Sequence, residues 1–133
     1  MQQFAWREAY SVDIPQLDAQ HRQIIELLDE LGRIAHGGEN DKLIAAALEK
    51  VTRYAHWHLR REELVLRVRS YPGYEEHKAE HEAYREKVTF LQANSHRRDL
   101  GIRMTNFLNQ WWRHHILTSD QQYARFFRRQ SGQ

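Results

Sequence analysis

Apolar residues recur along this chain in alternating steps of three and four, the spacing that lines one face of an α-helix. The first run is Leu17, His21, Ile24, Leu28, Leu31 and Ala35. The second is Leu43, Ala47, Val51, Tyr54, His58, Glu62 and Val65. The third is Tyr74, His77, His81, Tyr84, Val88 and Leu91, and the fourth is Leu100, Met104, Phe107 or Leu108, Trp111 and His115. Strand-like alternation is sustained nowhere. Gly37-Gly38, Pro72-Gly73 and Gly101 punctuate the runs. Asp18 or Gln20 can cap the first helix, and Asn40 or Asp41 the second. The pattern predicts an all-α fold, an antiparallel up-down-up-down four-helix bundle over residues 17–118. Residues 1–16 are expected to pack on it as an irregular, aromatic-bearing N-terminal arm. Residues 119–133 are expected to form a short C-terminal helix, carrying Tyr123, Phe126 and Phe127, and a tail. At 133 residues, one domain over 1–133 is expected.

The inward stripe is not purely apolar. His21, His58, His77, His81, His115 and Glu62 all fall on it. A buried charge is expensive, and a buried imidazole needs partners for both nitrogens. One such histidine reads as an ordinary core residue. Five, drawn from all four helices and joined by a carboxylate, point to a metal, which takes the lone pair of each neutral imidazole. His58 and Glu62, and His77 and His81, are four apart and so lie side by side. Asp120 is five beyond His115, so the fourth helix is expected to end or distort near Thr118-Ser119 and let Asp120 swing back. Glu63 lies five from His58 and is set aside in favour of Glu62. The candidate ligands are His21, His58, Glu62, His77, His81, His115 and Asp120.

Composition narrows the chemistry. The chain has nine His and no Cys, which excludes disulfides, thiolate zinc sites and cysteine nucleophiles. Nitrogen and oxygen donors suit Fe, Mn, Cu, Ni or Zn. Seven ligands are too many for one ion. If both carboxylates bridge, they serve two octahedral ions, and a further oxo or hydroxo bridge leaves one position free for a small ligand. His36, His56, His96 and His114 fall off the stripe or in loops and are expected at the surface. Tyr54, Tyr84 and Trp111 face inward as core packing.

Twenty Lys and Arg stand against 18 Asp and Glu, a net charge of +2. That balance gives little pull towards nucleic acid or a membrane surface. The segment Arg125-Phe126-Phe127-Arg128-Arg129 is expected to pack its aromatics and solvate its charges rather than bind nucleic acid. No stretch free of Asp, Glu, Lys and Arg exceeds nine residues, the length of Met104 to Trp112, too short for a membrane span. The N-terminus lacks the basic start and apolar stretch of a secretory signal. A cytoplasmic monomer is expected.

In their sequence context these residues resemble the hemerythrin family, specifically its single-domain bacteriohemerythrins. The match runs from about Trp6 to Tyr123. It includes Leu17-Asp18-Ala19-Gln20-His21, then Tyr54 ahead of His58-Leu59-Arg60-Arg61-Glu62-Glu63. It continues with Tyr71-Pro72 ahead of His77-Lys78-Ala79-Glu80-His81, then Trp111-Trp112-Arg113-His114-His115-Ile116, and closes on Asp120 and Tyr123. The resemblance implies a non-haem di-iron centre with an oxo or hydroxo bridge that binds dioxygen reversibly. The role would be oxygen transport, storage or delivery to an oxygen-consuming enzyme. It implies that His77, His81 and His115 hold one iron, that His21 and His58 hold the iron with the open position, and that Glu62 and Asp120 bridge both. The oxygen pocket would include Leu59, Ile116, Trp111 and Ile24 or Ile25.

The alternatives are a di-iron enzyme of peroxidase or nitric oxide reductase type, or an oxygen or redox sensor. No general acid or base is evident beside the ligands, which favours binding over catalysis. A sensor is expected to carry an output domain, for which the sequence leaves no room, so sensing would need a partner protein. Two positions depart from the family pattern. Leu59 stands where Phe is usual, which is expected to ease access to the open iron. Asp13 stands in a loop where Gly is often found.

Overall fold

The structure is a computed structural model that describes residues 4–37, 41–94 and 97–132, with the backbone alone at 97–99. Gly38, Asn40 and His96 lie outside the described residues. A short 3-10 turn at Glu8–Tyr10 precedes five helices: α1 (Pro15–His36), α2 (Asp41–Val68), α3 (Tyr74–Asn94), α4 (Arg97–Leu117) and α5 (Ser119–Gln130). No strand occurs among the described residues, and no helix there is long and apolar enough to cross a membrane.

α1 packs against α2 and α4, α3 packs against the same two, and α2 meets α4 across the centre. One layer of side chains fixes the directions. His21 lies early in α1 and His77 early in α3, whereas His58 lies late in α2 and His115 late in α4. These four meet at one level, so neighbouring helices run antiparallel and form a four-helix bundle. The opposite end is filled by Leu28, Leu31, Leu48, Val51, Val88, Leu91, Met104 and Leu108, all buried.

Local chemistry refines several expectations. Asp18 does not cap α1. The helix starts earlier, with Ile14 as N-cap and Pro15 at its first turn, where a missing N–H is harmless. Asp18 instead reaches back to the arm, accepting the Val12 N–H at 2.8 Å and the Ser11 hydroxyl at 2.6 Å. Between those contacts Asp13 adopts φ 58°, in the left-handed region that glycine enters freely and Asp tolerates. A glycine would enter this conformation without strain. Asp13 fills the position and pairs with Arg128 of α5.

On α2 the stripe begins one residue later than its pattern suggested. Leu43 is exposed while Ile44 packs on the core. At its far end Leu66 is fully buried and Val65 only partly so. Gly101 lies inside α4 rather than at its edge, where an added Cβ would come within 2.8 Å of Ile44 Cγ2. The missing side chain lets α4 approach α2 closely. The arm packs as expected: Phe4 and Tyr10 join the main core, and Val12 and Ile14 join a second cluster with Leu17, Leu66, Tyr123 and Ala124. Phe126 and Phe127 of α5 pack on Tyr71, with ring centroids 5.6 and 5.9 Å away.

Candidate metal centre

Five helices each contribute to one buried layer. α1 supplies His21, α2 supplies His58 and Glu62, α3 supplies His77 and His81, α4 supplies His115, and α5 supplies Asp120. Six of the seven are 0% exposed and His77 is 5% exposed. Asp120 arrives because the helix breaks at Thr118, where φ −115° and ψ −71° end α4 and start α5 in a new direction. The Thr118 hydroxyl donates to the His114 carbonyl at 2.7 Å, supporting the break.

The two carboxylates divide the imidazoles between their oxygens. Glu62 Oε1 lies 2.7 Å from His77 Nε2, 3.1 Å from His81 Nε2 and 3.6 Å from His115 Nε2. Glu62 Oε2 lies 3.2 Å from His21 Nε2 and 3.3 Å from His58 Nε2. Asp120 repeats the division. Its Oδ1 is 3.1 Å from His115 Nε2 and 3.2 Å from His77 Nε2, and its Oδ2 is 3.2 Å from His21 Nε2. Two clusters result, Glu62 with His77, His81 and His115, and Glu62 with His21 and His58.

The outer nitrogens of His58, His81 and His115 are tied down, whereas His21 Nδ1 is buried without a hydrogen-bond partner. His81 Nδ1 is 2.7 Å from Glu63 Oε2, and His115 Nδ1 is 2.7 Å from Glu80 Oε1. An ionised carboxylate only accepts, so both Nδ1 atoms carry a proton, and in the neutral imidazole each Nε2 turns a lone pair inward. His58 Nδ1 meets Gln20 Oε1 at 2.7 Å. Arg85 steadies Glu63 at 2.7 Å, and the Ser119 hydroxyl donates to both Glu80 oxygens. Such outer contacts fix the orientation of metal-ligating histidines.

Hydrogen bonding alone leaves this layer unsatisfied. His58 Nε2 and both Asp120 oxygens are buried without a hydrogen-bond partner. His81 Nε2 and His115 Nε2 face each other at 3.1 Å. Two inward lone pairs at that distance repel unless a proton or a cation lies between them. The donor set therefore fits a metal: converging imidazole nitrogens, carboxylate oxygens on two sides, and no sulfur.

Electrostatics agree. Burial alone lowers an imidazole pKa, yet Asp120 and Glu62 outweigh it and raise His21 to about 9 and His77 to about 9. His115 is raised well above its usual range by the same carboxylates and Glu80. His58 is the exception, lowered because burial dominates. Burial pushes the Glu62 carboxyl up, but the facing imidazoles of His115, His21, His58 and His77 hold it well below the usual range. Without an ion, these carboxylates draw protons onto His21, His77 and His115 in its place. Tyr123 is raised well above its usual value by burial and by the charges of Asp120 and Glu62, so its hydroxyl stays protonated.

The expected pocket residues are placed as follows. Ile24, Ile25, Leu59 and Ile116 are buried in the main core beside this layer. Trp111 is partly buried and stacks on His115 at 4.4 Å and 14°. The tryptophan whose ring lies 5.8 Å from His58 is Trp112, fully buried, which donates to the Tyr84 hydroxyl at 3.2 Å. His36 and His114 are exposed. His56 is half-buried rather than solvated, its ring 6.2 Å from Tyr84 and its Nε2 without a partner.

Gln20, which reads from sequence as a cap but lies within α1 and meets His58, and Glu63, set aside as a ligand, both serve outer nitrogens; Glu80, Tyr123 and Trp112 carry no role at the centre in the sequence reading. A signal existed for the first three. Gln20 adjoins His21, Glu63 adjoins Glu62, and Glu80 adjoins His81. A neighbour in sequence is turned about 100° round the helix, towards the adjacent helix and the outer nitrogen of its histidine.

Comparisons with known proteins agree with this geometry. Residues 12–127 match the family model described as the hemerythrin HHE cation binding domain. A bacteriohemerythrin of Stenotrophomonas maltophilia is 28% identical over 120 residues, 90% of this chain and 78% of that protein. A bacteriohemerythrin of Clostridium acetobutylicum is 27% identical over 127 residues, 90% of this chain and 98% of that protein. A myohemerythrin of Sipunculus nudus is 28% identical over 120 residues, 90% of each chain.

Proposed function

This chain belongs to the hemerythrin family, and from that premise we propose that it binds dioxygen reversibly at a pair of iron ions, for transport, storage or delivery. The observation that carries the reading is the division of Glu62 and Asp120 between two sets of imidazoles. Oε1 and Oδ1 face His77 and His115, and Oε2 and Oδ2 face His21. A single ion would need all donors to converge on one point; two carboxylates, each offering its oxygens in opposite directions, suit two.

In this reading His77, His81 and His115 hold one ion, His21 and His58 hold the other, and Glu62 and Asp120 bridge. Bound iron supplies the reversible redox chemistry that oxygen binding requires. The chain's own part is to aim the imidazole lone pairs and keep the bridging carboxylates ionised. Leu59, Ile24, Ile25 and Ile116 exclude water around the two-histidine position, which has fewer protein donors and so room for a small ligand. The carboxylates and imidazoles of the layer are committed as ligands or to outer nitrogens, and the Tyr123 hydroxyl is engaged by Glu62, which favours binding over catalysis.

The test is to load the metal-free chain with Fe(II) under argon and then admit air. Uptake of about two irons per chain, with a visible band that appears in air and vanishes under argon, is the expected result. Irreversible oxidation with turnover of hydrogen peroxide would favour an enzyme. Retention of one zinc per chain in place of iron would overturn the assignment.

A further inference from the structure

Tyr123 reaches the centre without belonging to the seven candidate ligands. It is 0% exposed, and its hydroxyl donates to Glu62 Oε2 at 3.0 Å. Its ring packs edge-on against His77 at 5.4 Å and against Tyr71 at 6.2 Å. Tyr123 and Asp120 are three apart on α5 and so share one face. The break at Thr118 therefore delivers two groups to the layer.

The hydroxyl distinguishes the two oxygens of Glu62. Oε1 faces His77, His81 and His115, while Oε2 faces His21, His58 and the Tyr123 hydroxyl. A carboxylate oxygen has two lone pairs. On Oε2 one is available to an ion beside His21 and His58, and the other is taken by Tyr123. The oxygen so fixed is the one serving the side with fewer imidazoles, where each remaining donor matters more. Ring packing alone needs only Phe at this position. The buried hydroxyl is what packing does not account for.

We propose that Tyr123 is the positioning residue of the two-histidine metal position, aiming Glu62 Oε2 so that this position retains its ion. The proposal rests on the two-metal reading above. Tyr123→Phe keeps the ring and removes only the donor. The experiment titrates the metal-free full chain with Co(II), following its visible absorption, and records thermal melting of the metal-free form. The wild type is expected to bind in two steps. In Tyr123→Phe the weaker step should weaken about tenfold, with the tighter step close to wild type and the melting temperature lowered only as far as the loss of one buried hydrogen bond requires. Tyr71→Phe, which removes a hydroxyl from the ring packed against Tyr123 but none from the metal layer, should leave both steps unchanged.

A general loss of packing would weaken both steps together, and that result overturns the proposal. So does an unchanged isotherm, or a Tyr123→Phe chain that no longer folds, which would make the hydroxyl structural. If the wild type itself takes up one Co(II) or none, the two-metal reading falls along with this inference. If it takes up two and the variant shows no selective loss, only this inference falls.

Discussion

The two ends of the bundle are built on the same helical stripe and stabilised by opposite means. At one end Leu28, Leu31, Val51, Val88, Leu91 and Met104 remove apolar surface from water. This stabilisation has no directional requirement and is available as soon as the helices meet. At the other end the same stripe carries five imidazoles and a carboxylate, joined by a second carboxylate from α5. Burying those groups costs free energy unless each finds a partner. The apolar end can therefore specify the fold without a ligand, while the polar end is completed by one. Variants that separate these contributions test that division.

The largest effect is expected from Glu62→Ala. Glu62 touches both sets of imidazoles and receives the Tyr123 hydroxyl, so its loss removes a bridge and leaves raised-pKa histidines without their counter-charge. Breaking a buried charged network costs about 3–5 kcal/mol. Iron analysis should show loss of bound metal, and denaturant unfolding of the metal-free form should show the lower stability. Leu31→Ala at the opposite end is the matched control. Leu31 is 0% exposed, and its truncation should cost about 2–5 kcal/mol while metal stoichiometry per folded chain stays at wild type. A Leu31→Ala protein that folds but loads no metal would show that the ends are not separable.

The polar end should also make metal-free stability depend on pH. His21 and His77 have folded-state values raised to about 9 by Asp120 and Glu62 against burial. A raised value contributes stability that is fully present below the unfolded pKa near 6.5 and is lost as pH rises through about 9. His58 acts in the opposite sense, its value being lowered by burial. His115 joins the raised pair, so the raised groups dominate. For either His21 or His77 the effect is of order 3 kcal/mol, and the two do not add because they lean on the same carboxylates. Melting of the metal-free protein should fall between about pH 6.5 and pH 9, and metal loading should flatten that slope, because bound metal replaces the protons. A metal-free protein with no slope in this window would contradict the picture.

A smaller effect is expected from Glu80→Gln. Glu80 accepts from His115 Nδ1 and from the Ser119 hydroxyl, tying a candidate ligand to the start of α5. The amide keeps the size but weakens the acceptor. Metal affinity should drop about tenfold, read by competition with a chelator, and melting of the metal-free form should fall less than in Glu62→Ala, because one of several carboxylates facing His115 is lost.

The two ends also differ in how much of them could be read from sequence. The apolar end was legible from period alone, because burial on a helix depends on spacing; Leu43 slipped only because a helix end tolerates a one-residue change of face. The inward histidines were legible for the same reason. What escaped was everything that crosses between helices. Gln20, Glu63 and Glu80 lie beside the stripe, and only the packing of one helix on the next shows which histidine nitrogen each meets. Trp112 rather than Trp111 lies against His58 because adjacent positions differ by about 100°, finer than a two-residue choice could resolve. Asp120 was anticipated from a break near Thr118-Ser119. Tyr123 followed Asp120 onto the same face, but its hydroxyl had no reason to be aimed at Glu62 until the direction of α5 was known.

The smallest and most specific test lies at the boundary between the two ends. Leu59 directly follows His58 and is 0% exposed in the core that also holds Ile24, Ile25, Trp112 and Ile116. The family usually places Phe there, and the smaller Leu leaves less bulk beside the two-histidine position. Leu59→Phe should slow decay of the oxygen-dependent visible band a few-fold by limiting entry of water and anions. Extra volume in a packed interior should also cost about 1–3 kcal/mol, since Leu59 sits where apolar packing meets the metal layer. The two readouts then move in opposite directions, a longer-lived band in a less stable protein. Unchanged or faster decay would mean that Leu59 belongs to the apolar end alone and does not guard the polar one.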